Sequence, residues 1–172
     1  MNQTFILTII SDDKPGIVEK IADVIKQHDG NWLESKLSYL AGKFAGIVEF
    51  QIEETKADTV QQALKKLSDK GMTIVVEAAN AAIQSALPTH RFSVVGNDRP
   101  GIVREVAQAI AMKNVNVIEL NSKCSSAPHV GTPLFEAWGK IQIPSEADID
   151  ALESHLDTLC EQLAVDIQIE PL

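Results

Sequence analysis

Two short turns in this sequence carry the residues best suited to binding a small ligand. The segment 13–18, with the sequence DKPGIV, recurs as DRPGIV at 98–103. The glycine of each turn would let a ligand approach the backbone closely, because it has no Cβ. The free N–H groups at the start of a following helix would attract a carboxylate, and the aspartate could balance an ammonium group. An α-amino acid is therefore a chemically sensible ligand for at least one of the two turns, and the residues do not decide which.

An asparagine follows each turn at the same spacing. The amide side chains of Asn31 and Asn116 can accept a hydrogen bond from an ammonium group or donate one to a carboxylate. Gly30 precedes the first asparagine and Val115 the second, which leaves open whether the second site is tighter or has lost its ligand. The predicted ligand-binding residues are Asp13, Pro15, Gly16, Ile17, Val18 and Asn31 in the first copy, and Asp98, Pro100, Gly101, Ile102, Val103 and Asn116 in the second.

The two turns belong to a duplicated unit. A single Asp-x-Pro-Gly turn can equally be an ordinary connection between a strand and a capped helix. Here the second copy keeps a constant offset from the first, so that Ala22 corresponds to Ala107 and Ile25 to Ile110. Two copies inside matching apolar patterns indicate an internal repeat.

Each copy has the pattern strand, helix, strand, strand, helix, strand. Helices are predicted after each Pro-Gly pair and again around Val60–Leu67 and Ile149–Leu163, where apolar residues recur at helical spacing. The predicted strands are Phe5–Ile10, Trp32–Leu40, Phe44–Glu53 and Met72–Glu77 in the first copy, and Phe92–Val95, Val117–Cys124, Leu134–Ile143 and Val165–Glu170 in the second.

The turn residues also predict how the first helix of each copy begins. Asp13 and Asp98 are placed to cap these helices with their side chains. Pro15 and Pro100 suit the first helical turn, where no backbone N–H is needed.

Side-chain directions in the second copy follow from strand alternation. Ile118 and Leu120 are predicted to face the core, and Glu119 and Asn121 the opposite side of the sheet.

The order βαββαβ predicts an α+β fold made of two ferredoxin-like domains. Each domain would have a four-stranded antiparallel sheet with two helices on one face. The first domain is predicted to span residues 1–85 and the second 88–172. The alanine-rich segment at about 78–87 suits a linker, with the boundary near Ser85.

Composition argues against several classes of function. The formal net charge is −9, from 24 acidic and 15 basic residues, so direct binding to nucleic acid or to an anionic membrane is disfavoured. The apolar run Phe5–Ile10 is too short for a signal segment, and we expect a cytoplasmic protein. No cofactor is predicted.

Neither a metal site nor a catalytic site is predicted. The spacing of Cys124, His129, His155 and Cys160 matches no common zinc pattern. Ser125 shares a loop with His129, but no acidic residue there would orient a catalytic histidine.

The loop Ser125–Pro133 is the largest difference between the copies. Its counterpart in the first copy is a tight turn at Gly42. The loop can be a tolerated surface insertion or a lid or partner-contact element, and the sequence leaves both readings open.

A βαββαβ unit with Asp-x-Pro-Gly after its first strand and asparagine after its first helix resembles the ACT domain. In the second copy, the long loop leading into PLFE at 133–136, the pair Ile143-Pro144 and the ending LAVDI at 163–167 resemble the glycine-cleavage-system transcriptional repressor family. That resemblance implies a non-enzymatic tandem ACT protein that responds to glycine and acts by contacting a DNA-bound activator protein. It also implies a homo-oligomer formed by pairing of sheets or helices.

Two other functions remain open at this point. The chain could be the amino-acid-binding regulatory subunit of a separate metabolic enzyme. It could also be a dimerisation module that binds no ligand.

Overall fold

The structure is a computed structural model of the 172-residue chain, and it describes residues 1–79, 87–126 and 133–172. The chain divides into two compact units. The predicted boundary near Ser85, most of the predicted linker and the interior of the loop Ser125–Pro133 lie outside the described residues.

The first unit contains four strands and two helices in the predicted order. They are β1 (Asn2–Asp12), α1 (Ile17–Gln27), β2 (Asn31–Leu40), β3 (Lys43–Glu53), α2 (Ala57–Lys65) and β4 (Met72–Ala78), with short 3-10 turns at Glu54–Lys56 and Lys66–Lys70. The second unit repeats this order with β5 (His90–Asn97), α3 (Ile102–Met112), β6 (Asn116–Ser126), β7 (Pro133–Gln142), α4 (Ile149–Leu163) and β8 (Val165–Pro171).

Both sheets are antiparallel, and both have the same topology. The strand order is β2-β3-β1-β4 in the first unit and β6-β7-β5-β8 in the second. The first strand of each unit therefore lies inside the sheet, and its end leads directly to the turn that carries Asp-x-Pro-Gly. This confirms the α+β, ferredoxin-like prediction.

Each unit has its own core between one face of the sheet and the two helices. In the first unit, alternate residues of β1 pack with one stripe of α1 and one of α2, and the main contributors are Phe5, Leu7, Ile9, Ile21, Ile25, Val60 and Leu64. Burying each of the larger side chains contributes about 1.5–3 kcal/mol. The second core is built in the same way from Val94, Ile110, Ile141, Leu152 and Leu156.

A β-bulge changes the predicted facing of β6. The ladder with β7 shifts between Val117 and Glu119, so Ile118 is the bulged residue. Val117 takes the helix-facing position that the sequence had assigned to Ile118. Leu120 does face the helix layer, opposite Gly139, but it is 49% exposed and so does not belong to the core.

Candidate functional site

The turn between β1 and α1 leaves the start of the helix open. Helix α1 begins at Ile17, with Gly16 as its N-cap residue at φ +86°, and no side-chain hydrogen bond caps it. The first hydrogen bond of the helix runs from the Lys20 N–H to the Gly16 carbonyl oxygen, at 3.1 Å. The N–H groups ahead of Lys20 therefore point out of the helix end and are available to an anion.

The second unit repeats this geometry. Gly101 is the N-cap of α3 at φ +102°, again without a side-chain cap. The Glu105 N–H donates to the Gly101 carbonyl oxygen at 3.0 Å. Both glycines have left-handed backbone conformations, so glycine is required here by the turn itself as well as being suited to close approach of a ligand.

Asp13 and Asp98 do not cap the helices, so that prediction was wrong. Their backbone N–H groups donate instead to the carbonyl oxygens of Gly42, at 3.0 Å, and Pro133, at 2.8 Å, which ties each turn to the neighbouring hairpin. Their side chains are exposed. Because an αL glycine separates each aspartate from the helix, its carboxylate is not directed at the helical N–H groups.

The two prolines also lie outside the helices. Pro15 and Pro100 each precede the N-cap glycine, whereas the sequence placed them in the first helical turn. Their fixed φ shapes the turn rather than the start of the helix.

Helix α4 shows what a capped start looks like in this chain. Asp148 precedes it, and the Ala151 N–H donates to the Asp148 carboxylate at 2.9 Å.

We expect Asp148→Ala to lower the free energy of unfolding of the second unit by about 1 kcal/mol. Asp98→Ala should change it by less than about half as much, because Asp98 caps nothing. Urea denaturation of both variants measures the difference, and equal losses would contradict the assignment of caps.

Each turn borders an open depression. In the first unit it has a volume of about 350 Å3 and is lined by Asp13, Gly16, Val18 and Phe44, among others. The second has a volume of about 490 Å3, with Asp98, Gly101, Phe135 and Cys124 among its lining residues. Both volumes suffice for an amino acid, but both depressions open widely to solvent.

Charged side chains lie close to each helix start. An atom at the Cβ position of Gly16 would be 3.5 Å from the Glu19 Oε2 atom, and one at Gly101 would be 3.3 Å from the Glu105 Oε1 atom. Arg99 forms a 3.9 Å ion pair with Glu105. A ligand carboxylate at either helix start would therefore have to displace a nearby glutamate side chain.

Cys124 lies beside Asp98 in the second unit, which the sequence analysis did not foresee. Partial desolvation raises the pKa of the Cys124 thiol, and the negative charge of Asp98 and a hydrogen bond to it raise this pKa further. The thiol therefore stays protonated at neutral pH. The sequence contains one sign of the contact between Cys124 and Asp98, namely the predicted hairpin of β6 and β7. That hairpin brings the end of β6 close to the turn that follows β5.

Phe44 and Phe135 also line the depressions beside the two turns, although the sequence did not predict them as site residues. They stand opposite Ser11 and Gly96, near the ends of β1 and β5 where the two turns begin. The hairpin register decides this pairing, and the turn sequence itself contains no sign of it.

The asparagines are not brought to the turns within a unit. Asn31 begins β2, directly after the end of α1, and Asn116 begins β6 in the same way. Helix α1 has 11 residues, so it separates Asn31 from Gly16 by about 16 Å at 1.5 Å per residue. One small amino acid cannot contact both residues in the same unit.

Gly30 and Val115, the residues that precede the two asparagines, therefore lie at the C-terminal end of the first helix of each unit, far from the turn. A Cβ on Gly30 would lie 2.9 Å from the Ile25 Cγ2 atom, whereas Val115 is buried in the second core. The difference between Gly30 and Val115 therefore does not indicate whether either turn binds a ligand.

In residues 1–79, 87–126 and 133–172, no group of three or more His, Cys, Asp or Glu side chains could hold a metal ion. No helix in those ranges is long and apolar enough to cross a membrane.

Comparison with known proteins identifies the type of unit. Residues 3–77 match the family model of the ACT domain. No curated protein matches the sequence significantly.

Two solved structures are similar over both units. The crystal structure of an unknown protein from Galdieria sulphuraria is 26% identical, with a TM-score of 0.86 covering 100% of this chain and 99% of that one. The crystal structure of a protein provisionally assigned as a glycine cleavage system transcriptional repressor is 17% identical, with a TM-score of 0.73 and coverage of 100% and 98%. At 17% identity the second similarity concerns the fold.

Proposed function

Because residues 3–77 form a domain of the ACT family and the chain has the tandem ACT fold, we propose that this protein is a non-enzymatic regulator that senses a small α-amino acid. The ligand is glycine or a close relative, and it binds at the turn of at least one unit. Binding alters the contact of the protein with a transcriptional activator.

The uncapped helix start in each unit carries the ligand proposal. The N–H groups at the starts of α1 and α3 and the positive ends of the helix dipoles match a carboxylate. Asp13 and Asp98 line the same depressions and supply the opposite charge for an ammonium group. A zwitterion presents both charges within a few ångströms, whereas a simple anion would meet an unfavourable aspartate.

Two observations support a role in transcription through another protein. The structural relative assigned as a repressor shares the fold over the whole chain. The net charge of −9 disfavours direct binding to DNA, whose backbone attracts proteins through clustered Lys and Arg. An activator protein would therefore provide the contact with DNA.

Titration calorimetry of the full chain against the common amino acids tests ligand binding. We expect saturable heat for glycine or another small amino acid and none for glutamate, whose second carboxylate would lie beside the acidic side chains of the turns. The absence of heat for every amino acid would leave only the dimerisation-module alternative.

Gel-shift titration tests the regulatory part. The purified chain alone should not retard promoter DNA, whereas it should change the shift produced by its activator. Binding linkage requires that the activator change amino-acid affinity by the same factor as the amino acid changes activator affinity. Salt-sensitive, saturable binding of the chain alone to DNA would contradict the proposal, and co-purification with a metabolic enzyme would favour the regulatory-subunit alternative.

A further inference from the structure

The second sheet has a depression on its outer face, the face turned away from α3 and α4. Side chains alternate along a strand, and Val94 of β5 is buried under the helices. Ser93 and Arg91 therefore point to the outer face. Their partners on β7, Trp138 and Lys140, lie on the same face. The depression has a volume of about 500 Å3, and these four residues all line it.

Two cations stand side by side in this depression. Arg91 and Lys140 are direct cross-strand partners, and like charges at such positions destabilise a sheet. Glu119 forms a 3.6 Å ion pair with Lys140. In the described parts of the chain, no carboxylate forms an ion pair with Arg91. An anion bound between the two cations would relieve their repulsion, and the planar guanidinium can hold a carboxylate through two hydrogen bonds.

Carboxylates bound the cation pair on both sides. Glu119 is the partner of Lys140 on β6, and Glu170 is the partner of Arg91 on β8. The four side chains form a row across the sheet with two positive charges inside and a negative charge at each end. Such a row accommodates a single negative charge at its centre and repels a polyanion, so it favours a carboxylate over a di- or triphosphate.

Trp138 supplies a large nonpolar surface beside the cations. Its side chain is 45% exposed, and it lines the depression. The Lys123 Nζ atom lies 5.8 Å from the centre of the indole ring, but Lys123 is not among the lining residues. The part of the indole that borders the depression is therefore available to an aromatic ring, which would pack against it in an offset or edge-to-face arrangement.

The first unit shows that the fold does not require these residues. The strand registers of the two sheets match, and the first sheet has Ile6 in place of Arg91, Glu49 in place of Lys140 and Ile47 in place of Trp138. A cation pair beside an exposed tryptophan occurs only in the second of the two sheets. It therefore reflects a property of the second unit and not a need of the sheet.

We propose that the outer face of the second sheet binds a small aromatic carboxylate. The ligand carboxylate lies between Arg91 and Lys140, and its ring packs against Trp138. This site goes beyond the proposed function and does not depend on it, because the depression beside Gly101 is lined by other residues.

Titration calorimetry of the full chain with phenylacetate tests the proposal. We expect saturable heat, and binding about threefold weaker for cyclohexylacetate, which keeps the carboxylate and the ring size but loses the aromatic contact. Added sodium chloride should weaken the binding, because it screens the exposed cations. In a Trp32→Phe variant, the fluorescence of Trp138 should change with the same dependence on phenylacetate concentration.

Three variants introduce the residues of the first unit. Arg91→Ile and Lys140→Glu should each weaken phenylacetate binding about tenfold, as expected for the loss of a hydrogen bond between charged groups. Trp138→Ile should make phenylacetate and cyclohexylacetate bind equally. The matched control is Lys36→Asn, which removes a cation from the outer face of the first sheet and introduces the residue of the second, Asn121. This control should leave binding unchanged.

The outcomes separate this inference from the proposed function. Absence of both heat and a fluorescence change with phenylacetate overturns the inference. Phenylacetate binding that survives Arg91→Ile and Lys140→Glu also overturns it, because the carboxylate must then bind elsewhere. Glycine binding at the turns is measured separately and should not change in either variant, so the proposed function stands or fails independently. Two charge variants are used so that misfolding of one leaves the other as the test.

Discussion

Replacing Gly139 by alanine should lower the free energy of unfolding of the second unit by about 3 kcal/mol or more. A Cβ at this position would lie 1.9 Å from the carbonyl oxygen of Glu119 and 2.9 Å from the Phe92 ring. The backbone oxygen cannot rotate away, so β6 would have to separate from β7 and lose ladder hydrogen bonds. The turn depression of the second unit, which Cys124 of β6 lines, should be lost with it.

The first unit offers the matched test. Gly46→Ala would place a Cβ 2.0 Å from the carbonyl oxygen of Lys36, whereas Gly42→Ala would meet no atom within 4 Å. Both glycines have positive φ, at +156° and +82°, so both substitutions carry backbone strain, and only Gly46→Ala adds a steric clash with β2.

Tryptophan fluorescence measures each unit separately, because the chain has two tryptophans, Trp32 in β2 and Trp138 in β7. Denaturation of Gly46→Ala and Gly42→Ala in a Trp138→Phe background follows the first unit alone. We expect Gly42→Ala to cost about 1–2 kcal/mol and Gly46→Ala clearly more. A Gly139→Ala variant as stable as the unmodified chain would show that the register of β6 on β7 is different.

The double substitution Asp13→Asn and Asp98→Asn should weaken amino-acid binding by at least tenfold. Asparagine keeps the shape of the side chain and removes the negative charge that is proposed to face the ammonium group. A hydrogen bond to a charged partner contributes about 1.5–3 kcal/mol, which corresponds to roughly ten- to a hundredfold in affinity. Titration calorimetry of the double variant and of each single variant also identifies the unit that binds.

Asp12→Asn is the control for this experiment. It removes the same charge one residue earlier, from a carboxylate whose pKa is lowered by its hydrogen bond and ion pair with Lys43, at 2.5 Å. Binding should be unchanged. Native affinity in the double aspartate variant would show that the turns are not the binding site.

Substitution of the turn glycines would be a less informative test. Gly16 and Gly101 have φ of +86° and +102°, so any L-residue there strains the turn by about 1–2 kcal/mol. Lost binding in such a variant would combine a folding effect with a blocked approach.

The order of the elements could be obtained from the sequence because the signals for it are local. Alternation of apolar residues in β1 and a helical stripe through Ile17, Ile21 and Ile25 do not depend on distant contacts, and the repeat supplies every signal twice. The observed strands extend the predicted ones by a few residues at most ends, since pairing continues past the last clearly patterned residue. The candidate turns were identified for the same reason, as their spacing and residue types are properties of adjacent positions.

The tertiary structure decided what lies next to each turn. Whether the Asp13 side chain caps α1 depends on the left-handed backbone conformation of Gly16. The separation of Asn31 from that turn follows from the length of the helix between them. Cys124 meets Asp98 only because the β6–β7 hairpin returns to the end of β5. The bulge at Ile118 and the pairing of β6 with β7 place Val117 and Leu120 beside α3. The contacts of Cys124, Val117 and Leu120 join residues far apart in the chain, and their geometry is set by strand register and packing, which no local pattern of residue types determines.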